Sequence, residues 1–407
     1  MRSADIPANA GARLTVDLGA VVSNWRLLAA RAAPHADCAA MVKADAYGLG
    51  AEFVGPALAR AGARVFFVAT LDEGIRLRRV IDREIGVLEG PRPGTEGEFR
   101  AHELTPVVNS LEQLSTWAKS GGGRAVLHVD TGMSRLGLSE PEVETLSSEA
   151  DRLKGVDLAW IMSHLVSGEV QTDPDNPLQL ARFREALSKL PKSKASLANS
   201  AGIFLGPAYH FDMVRPGAAL YGLAPVDHAP NPMRTTVRLE AEILTVRTIA
   251  DGRSVGYNAQ WRANRSTRIA TVGVGYADGY LRSLTNRGRG YIAGRPIPLV
   301  GRVSMDLVTF DVTDLPEEAC RPGTPVVLMG EELPPDELGR LAGTNGYQML
   351  TGLSRRYARR YVGSDACWAS SPPSAAPSST PWRRSGACRC SRRSRSGTCS
   401  ARRSIPV

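Results

Sequence analysis

The chain has 407 residues, of which 43% are hydrophobic and 22% are charged, and its formal net charge is +9 at pH 7. This length predicts two domains rather than one, and the composition is that of an ordinary globular protein. No run approaches the roughly 18 consecutive apolar residues of a membrane helix, and the first dozen residues lack the apolar core of a secretory signal. We therefore expect a cytoplasmic protein with no membrane partner.

The positive charge is concentrated at the C-terminus. After Gly363 the chain carries eight arginines and one acidic residue, together with four of its six cysteines. Residues 364–407 have no aliphatic periodicity, so we expect a disordered tail. Their composition also resembles out-of-frame translation of a GC-rich gene. The alternative is a basic arm that binds nucleic acid or anionic lipid, although we expect no nucleic-acid partner.

Two further expectations concern the N-terminal residues and the cysteines outside the tail. Residues 1–11 are expected to form a flexible N-terminal segment. The two cysteines outside the tail, Cys38 and Cys320, are too far apart in sequence to indicate a disulfide framework or a zinc site. No metal is expected.

From residue 12 to residue 235, short apolar runs alternate with segments of helical apolar spacing. Eight runs are predicted strands: Ala39–Lys43, Val65–Ala69, Ile85–Leu88, Leu104–Val108, Ala125–Val129, Val156–Ser163, Ala195–Ala198 and Phe211–Arg215. The predicted helices between them include Glu52–Ala61, Leu71–Val80, Leu111–Ala118, Pro141–Leu153 and Pro177–Leu190. Eight strands in this alternation predict a (β/α)8 barrel of the TIM type. The alternative is an open doubly wound sheet, but no GxGxxG follows an early strand.

The pattern changes after Arg234. Residues 236–363 contain short runs of period-2 alternation between turn residues, which predicts an antiparallel β domain. The predicted strands are Thr236–Ile249, Arg268–Gly273, Tyr291–Ile292, Pro298–Val300, Leu307–Val312 and Pro325–Met329, with a helix over Pro335–Gly343. The predicted fold class is thus α/β, with an N-terminal barrel followed by a C-terminal antiparallel β domain.

Lys43 ends the first predicted strand, in the stretch AAMVKADAYGLG. Barrel enzymes place their chemistry at the C-terminal ends of the strands. A lysine at that position can form a Schiff base with an aldehyde cofactor. Without further motifs, Lys43 is explained equally well as an ordinary solvated lysine at the end of a strand.

Two later strand ends have the features of a phosphate site. The segment LANSAG (197–202) ends the seventh strand and VRPGAALYG (214–222) ends the eighth, where many barrels bind phosphate. Ser200 supplies a hydroxyl group, and Gly217 allows the backbone to approach an anion closely. Two ordinary turns would explain either segment singly but are a poor explanation of both together.

Seven motifs then occur in one order: KADAYGLG, DTGMSRLG, NSA, RPGAALYG, VGYNA, GYADG and GRVSMD. Their sequence and spacing resemble the alanine racemase family over about residues 11–363. The resemblance implies a pyridoxal-phosphate-dependent isomerase that interconverts L-alanine and D-alanine and supplies D-alanine for peptidoglycan.

The resemblance also implies the residues that hold the cofactor. Lys43 is similar to the lysine that carries it, and Arg215 to the arginine that faces the pyridine nitrogen. Because a guanidinium group has no acceptor and keeps its proton, it leaves that nitrogen unprotonated. His164 is similar to the histidine packed by this arginine, although a plain core histidine is the alternative. The phosphate contacts are matched by Tyr47, Ser200, Gly217, Ala218 and Tyr347.

A second set of residues is implied to act on the substrate. Racemisation needs a base on each face of the α-carbon, and Tyr257 matches the partner of Lys43. Arg135 matches the arginine near the substrate carboxylate, and Tyr276 matches the tyrosine of the narrow substrate entrance. In the family, Tyr257 and the pair Met305–Asp306, of which Met305 is a substrate contact, reach the site of the other subunit, so the resemblance implies a homodimer with shared active sites.

One position departs from the family. His128 stands where many relatives have a lysine that is often carbamylated, so something else, such as a bound anion, must orient Arg135. Three rival functions remain open from the sequence. A decarboxylase on the same architecture would not need Tyr257 or Arg215, and a non-catalytic cofactor-binding regulator would resemble the barrel alone. A racemase that acts on several amino acids is harder to exclude, because the sequence does not give the volume of the substrate pocket.

Overall fold

The computed structural model describes residues 11–363. The first strand, β1 (Ala12–Asp17), runs into the helix α1 (Leu18–Ala32). The Asp17 carboxylate accepts a hydrogen bond from the Ala20 amide at 2.9 Å and so caps this helix. The tail expected over residues 364–407 lies outside the described residues, and so do residues 1–10 of the flexible segment expected over residues 1–11.

A parallel sheet with helical crossovers follows. Its strands are β2 (Asp37–Cys38), β3 (Ala40–Met41), β4 (Val65–Val68), β5 (Glu84–Val87), β6 (Thr105–Val108), β7 (Gly123–His128), β8 (Val156–Met162), β9 (Lys194–Ser196) and β10 (Met213–Val214). The helices are α2 (Lys43–Tyr47), α3 (Ala51–Ala61), α4 (Leu71–Arg78), α5 (Glu96–Ala101), α6 (Leu111–Lys119), α7 (Glu140–Ser148) and α8 (Asp175–Lys189). The segment expected as one helix over Pro141–Leu153 is divided into α7 and a 3-10 turn at Ala150–Leu153.

The parallel strands form a closed ring. Strands β3 to β9 pair in chain order, and β10 pairs with β2. The ring closes because the Ala39 amide donates to the Val214 carbonyl at 2.9 Å and the Arg215 amide donates to the Ala198 carbonyl at 2.9 Å. The expected barrel is confirmed, and it brings the ends of the first, seventh and eighth predicted strands together.

Alternating strand residues fill the barrel. Val65 and Phe67 of β4 belong to an inner apolar cluster, whereas Phe66 and Val68 belong to the larger core. The inner cluster also contains Ala39, Met41, Val107, Val126, Trp160, Met162 and Met213. A side chain at Gly86 would lie 2.5 Å from the Phe67 ring, so the inner packing requires a glycine there.

The second half of the chain forms an antiparallel β domain. Its strands are β11 (Val237–Ile249), β12 (Ser254–Val255), β13 (Trp261–Arg262), β14 (Thr267–Val272), β15 (Arg289–Ile292), β16 (Arg295–Pro298), β17 (Val308–Asp311), β18 (Pro325–Met329) and β19 (Ala358–Val362). Its helices are α9 (Pro335–Leu341) and α10 (Gly346–Thr351). The strand expected at Pro298–Val300 instead lies at Arg295–Pro298, because the turn at Ala293 and Gly294 reverses the chain earlier.

The first strand of the chain belongs to this second sheet. Strand β1 pairs antiparallel with β11 and parallel with β19, with Leu14 opposite Leu239 on one side and Arg359 on the other. The domain limits at residues 12–235 and 236–363 stay predictions. Strand β1 lies in the first of these ranges, but its strand partners β11 and β19 lie in the second. No helix within residues 11–363 is long and apolar enough to cross a membrane.

Candidate active site

The backbone after β3 makes an unusual turn. Lys43 is followed by Ala44, Asp45, Ala46 and Tyr47, all with φ between 53° and 55°. Each such residue costs roughly 1–2 kcal/mol, because its Cβ approaches the following carbonyl group. Residues 43–50, which we name the cofactor turn, therefore need contacts that hold this conformation. The turn lies at the C-terminal end of the barrel strands, where the sequence predicts the chemistry.

A small polar cradle lies beside this turn. The Ser200 hydroxyl accepts hydrogen bonds from the Gly217 amide at 2.9 Å and the Ala219 amide at 3.2 Å. A 3-10 helix begins at Ala218, directly after this glycine, and within residues 11–363 the Ala218 amide donates to no acceptor, so it is available to an anion beside the Ser200 hydroxyl. A side chain at Gly217 would lie 2.4 Å from the Tyr47 hydroxyl oxygen. The cradle is therefore open only because residue 217 is a glycine.

Aromatic rings form one wall of the cradle. The Tyr47 ring stacks on the Tyr221 ring with centroids 4.7 Å apart, and the centroid of the Tyr347 ring lies 6.3 Å from that of Tyr47. The Tyr221 hydroxyl donates to the Met41 carbonyl at 2.8 Å and so fixes this stack to β3. Burial raises the pKa of both Tyr47 and Tyr221, so both phenols stay protonated. Tyr221 was not among the predicted site residues, although it lies within the RPGAALYG motif.

Arg215 is buried on the floor of the site. Its Nη1 donates to the Ser196 hydroxyl at 2.5 Å and its Nη2 donates to the Ser163 carbonyl at 2.5 Å. The Ser196 hydroxyl in turn donates to the Met213 carbonyl at 2.6 Å. Burial lowers the pKa of Arg215 to about 10, so the guanidinium remains charged at neutral pH. Ser163 and Ser196 also escaped prediction, since strand-end serines carry no distinctive sequence signal.

Positive charges accumulate around Lys43. Burial, followed by the charge of Arg135, lowers the pKa of Lys43. Burial and then the charges of Arg215, Arg135 and Lys43 hold the pKa of His164 well below its usual range. Lys43 therefore loses its proton more readily than a free lysine, and His164 is neutral.

His128 takes part in a buried polar network at the end of β7. Its Nδ1 lies 2.8 Å from the Asn109 side-chain oxygen. The Asn109 amide nitrogen donates to the Leu88 and Val107 carbonyls, so its oxygen is the acceptor and His128 carries the proton on Nδ1. Burial, followed by the charge of Arg215, lowers the pKa of His128 to about 4. His128 is consequently a neutral imidazole whose Nε2 is an acceptor.

The remaining predicted residues lie on the β domain. Tyr257 begins a 3-10 turn between β12 and β13, and 68% of its surface is exposed. Tyr276 and Met305 are adjacent, because the Tyr276 amide donates to the Ser304 carbonyl at 3.0 Å and the Ala277 amide donates to the Met305 carbonyl at 3.0 Å. Within residues 11–363 no hydrogen bond joins Tyr257 or Met305 to the barrel side chains of the site.

The Met305 loop is also held by an ion pair. Arg356 donates to the Asp306 carboxylate at 2.9 Å and lies 3.2 Å from the Asp278 carboxylate. Asp278 in turn accepts from the Gly275 amide at 2.9 Å, so one arginine connects the Tyr276 turn to the Met305 loop. The predicted residues thus fall into a barrel group around Lys43, to which Tyr347 of α10 also belongs, and a separate β-domain group made of Tyr257, Tyr276 and Met305.

The barrel group fits a phosphorylated aldehyde cofactor. It combines the Lys43 amine of lowered pKa, a cradle that any side chain at residue 217 would fill, and the buried guanidinium of Arg215. No cluster of metal-ligating side chains occurs in the described part of the chain. A parallel barrel with these features and an appended β domain defines the class of barrel-type pyridoxal-phosphate enzymes.

Comparison with known proteins identifies the family. The alanine racemase N-terminal domain family matches residues 16–225, and the alanine racemase C-terminal domain family matches residues 236–361. The alanine racemase of Rhodospirillum rubrum is 48% identical over 361 residues, covering 87% of this chain and 96% of the relative. That of Methylobacterium nodulans is 50% identical over 358 residues, covering 86% and 96%.

Solved structures agree with this result. Alanine racemase from Bartonella henselae with covalently bound pyridoxal phosphate is 39% identical, with a TM-score of 0.84 over 87% of this chain and 100% of the other. Biosynthetic alanine racemase from Pseudomonas aeruginosa is 36% identical, with a TM-score of 0.81 over 87% and 99%. The chain belongs to the alanine racemase family.

Proposed function

We propose that this protein interconverts L-alanine and D-alanine with pyridoxal phosphate as its cofactor and with Lys43 and Tyr257 as the two bases. The family makes it an isomerase. The observation that carries the proposal is the position of Lys43, an amine of lowered pKa at the barrel mouth beside the Ser200–Gly217 cradle.

The cofactor would be held at both ends by residues of the barrel group. Ser200, Gly217 and Ala218 would bind its phosphate through a hydroxyl and backbone amides, with the phenols of Tyr47 and Tyr347 beside them. Arg215 would face the ring nitrogen and, being charged and without an acceptor, would leave it unprotonated. His164, which is neutral, would pack beside the ring. Bound pyridoxal phosphate withdraws electrons from the α-carbon of the amino acid and so acidifies its proton.

Two side chains of this chain would then move the proton. The Lys43 Nζ takes it from, or returns it to, one face of the α-carbon, and the Tyr257 hydroxyl oxygen serves the opposite face. A lowered pKa increases the fraction of Lys43 that is neutral and able to accept a proton. The charge of Arg135 contributes to this lowering and suits the same residue to hold the substrate carboxylate.

The exposure of Tyr257 supports a homodimer with shared active sites. Tyr257, Tyr276 and Met305 are 68%, 42% and 54% exposed in the single chain, and the hydrogen bonds between the Tyr276 turn and the Met305 loop place two of these side chains on one exposed apolar patch. We propose that they cover the barrel mouth of a second copy, with Tyr276 at the substrate entrance and Met305 against the substrate. We further propose a cytoplasmic location and a role in supplying D-alanine for peptidoglycan.

Two measurements test this function. Racemisation assays with a panel of L-amino acids should give turnover with alanine, and comparable turnover with larger amino acids would indicate the broader-specificity racemase. Borohydride reduction should attach the cofactor to the peptide that contains Lys43. A label on another lysine would contradict the proposed site.

The role of Tyr257 is tested by Tyr257→Phe. Because one base is removed, we expect racemisation to fall by about 10²–10⁴-fold, with the cofactor still bound. Exchange of the α-proton with solvent deuterium should persist from one enantiomer and stop from the other. Tyr291→Phe, on a half-buried tyrosine of β15, is the matched control. Full activity of Tyr257→Phe in both directions would refute the assignment.

A further inference from the structure

The cofactor turn is closed by several local hydrogen bonds, including one from the Leu49 amide to the Ala46 carbonyl at 3.1 Å and one from the Ala51 amide to the Asp45 carboxylate at 2.8 Å. Within it, the Gly48 amide donates to the Ala44 carbonyl at 2.7 Å and the Gly50 amide donates to the Asp45 carbonyl at 2.8 Å. Such bonds also exist in right-handed turns, which avoid the steric cost of four consecutive residues with positive φ. A backbone of this kind persists only where surrounding structure holds it.

The surrounding structure is supplied by the last strand of the β domain. The Arg359 Nη1 donates to the Gly48 carbonyl at 2.6 Å, and its Nη2 donates to the Leu353 carbonyl at 3.2 Å. Arg359 itself is fixed by β19, where it lies opposite Leu14 of β1. One guanidinium group therefore connects the C-terminal end of the cofactor turn to the segment after α10.

Three further close approaches occur at the same junction. The Tyr361 ring stacks on Phe53 with centroids 3.8 Å apart, directly after the cofactor turn. A side chain at Gly50 would lie 2.3 Å from the Tyr361 hydroxyl oxygen, and one at Gly48 would lie 2.4 Å from the Leu350 carbonyl oxygen. The turn thus lies in close contact with β19 and with α10, the helix that carries Tyr347.

We propose that Arg359 is a positioning residue for the cofactor: by bonding the Gly48 carbonyl, it holds the left-handed turn that presents Lys43 and Tyr47 to the site. This inference rests on the proposed function of Lys43. Arg359 acts at a distance from the reacting atoms, through the backbone between Lys43 and Gly48. A purely structural arginine would stabilise the β sheet without affecting the turn.

Three variants separate these roles. Arg359→Met removes the guanidinium but retains much of the apolar stem, and Arg359→Lys retains a charge and one donor. Arg360→Met is the matched control, because Arg360 is the next residue of the same strand, points to its other face, and makes no side-chain hydrogen bond within residues 11–363.

The primary measurement is hydrogen–deuterium exchange of the holoenzymes, read on peptides that span residues 42–52. In Arg359→Met we expect exchange there to accelerate roughly ten- to hundredfold, since a hydrogen bond from a charged group is lost. Exchange in strands β11 and β18 should be unchanged. The exchange rate of residues 42–52 in Arg359→Lys should lie between those of Arg359→Met and wild type. In Arg360→Met it should stay within about twofold of wild type.

The second measurement is release of the cofactor, followed by its visible absorbance on dilution. We expect faster release from Arg359→Met and partial recovery in Arg359→Lys. Equal exchange of residues 42–52 in the Arg359 and Arg360 variants would overturn the positioning role, and so would faster exchange throughout the β sheet. Failure of borohydride to label Lys43 in the wild type would instead refute the proposed function, so the two failures are distinguishable.

Discussion

The cradle requires a glycine at residue 217 because the backbone there lies too close to Tyr47 for any side chain. A Cβ atom added at Gly217 would lie 2.4 Å from the Tyr47 hydroxyl oxygen and 3.3 Å from the Met41 side chain, and φ at this residue is negative. The requirement therefore concerns space and not backbone freedom. Any added methyl group must displace either Tyr47 or the amide that would contact the phosphate.

We predict that Gly217→Ala weakens cofactor binding by about tenfold or more while the protein remains folded, because the steric conflict is confined to the cradle. The Kd is measured by titrating the apoenzyme with pyridoxal phosphate and recording visible absorbance. Gly217→Ala combined with Tyr47→Phe should recover part of the affinity, since the hydroxyl oxygen is the closest atom. An unchanged Kd in the single variant would show that the cradle does not hold the phosphate.

At the scale of elements, the ends of β6 and β7 carry a buried polar pair. Asn109 follows β6 and His128 ends β7, and their side chains are 2.8 Å apart. The pKa of His128 in the folded protein is about 4, below the value of about 6.5 in an unfolded chain. Between these pH values the unfolded state binds a proton that the folded state does not, so the folded state loses stability as the pH falls from about 6.5 to about 4.

We predict that His128→Gln reduces this acid sensitivity. One neutral buried histidine contributes up to about 1.4 kcal/mol per pH unit to the slope of the unfolding free energy over that range. The free energy of unfolding is measured by urea titration at pH 5 and pH 6.5 for both proteins. His102→Gln, on a half-exposed histidine, is the control. Identical slopes in wild type and His128→Gln would show that His128 is protonated in the folded state.

Several elements were predictable and others were not. The barrel strands were found because buried parallel strands are continuous apolar runs such as Val65–Val68. Strand β1 escaped because its partners, β11 and β19, lie more than two hundred residues away in sequence, and local pattern carries no sign of such pairing. Helix α10 is only six residues long and lacks a periodic apolar face, so the sole sequence signal for this helix is its N-cap residue, Asn345.

The site shows the same division. Ser200 and Gly217 were predicted because strand-end motifs in a barrel converge, and the structure brings them within 2.9 Å. The left-handed backbone after Lys43 could not be predicted, since alanine and aspartate at residues 44–46 ordinarily favour other conformations. His128 was recognised as a departure from the family, but its partner Asn109 follows a different strand and gave no signal.

At the scale of the whole molecule, the proposed homodimer would complete each barrel site with Tyr257 of a second copy. We predict that mixing Lys43→Ala and Tyr257→Phe chains, each inactive alone, restores activity. A mixed dimer has one site with both lesions and one with neither, so random exchange in equal amounts should give about one quarter of wild-type activity. Subunit exchange is verified by native mass spectrometry. Verified exchange without recovery would contradict the shared site.

The position of β1 between β11 and β19 also has a consequence for biosynthesis of the chain. Residues 12–17 leave the ribosome about 340 residues before their parallel partner Ala358–Val362. At a synthesis rate of about 5–20 residues per second this interval lasts roughly 20–70 s. Throughout that time β1 has an exposed edge with unpaired backbone groups. The nascent protein therefore depends on β1 staying free of other chains until β19 has been made.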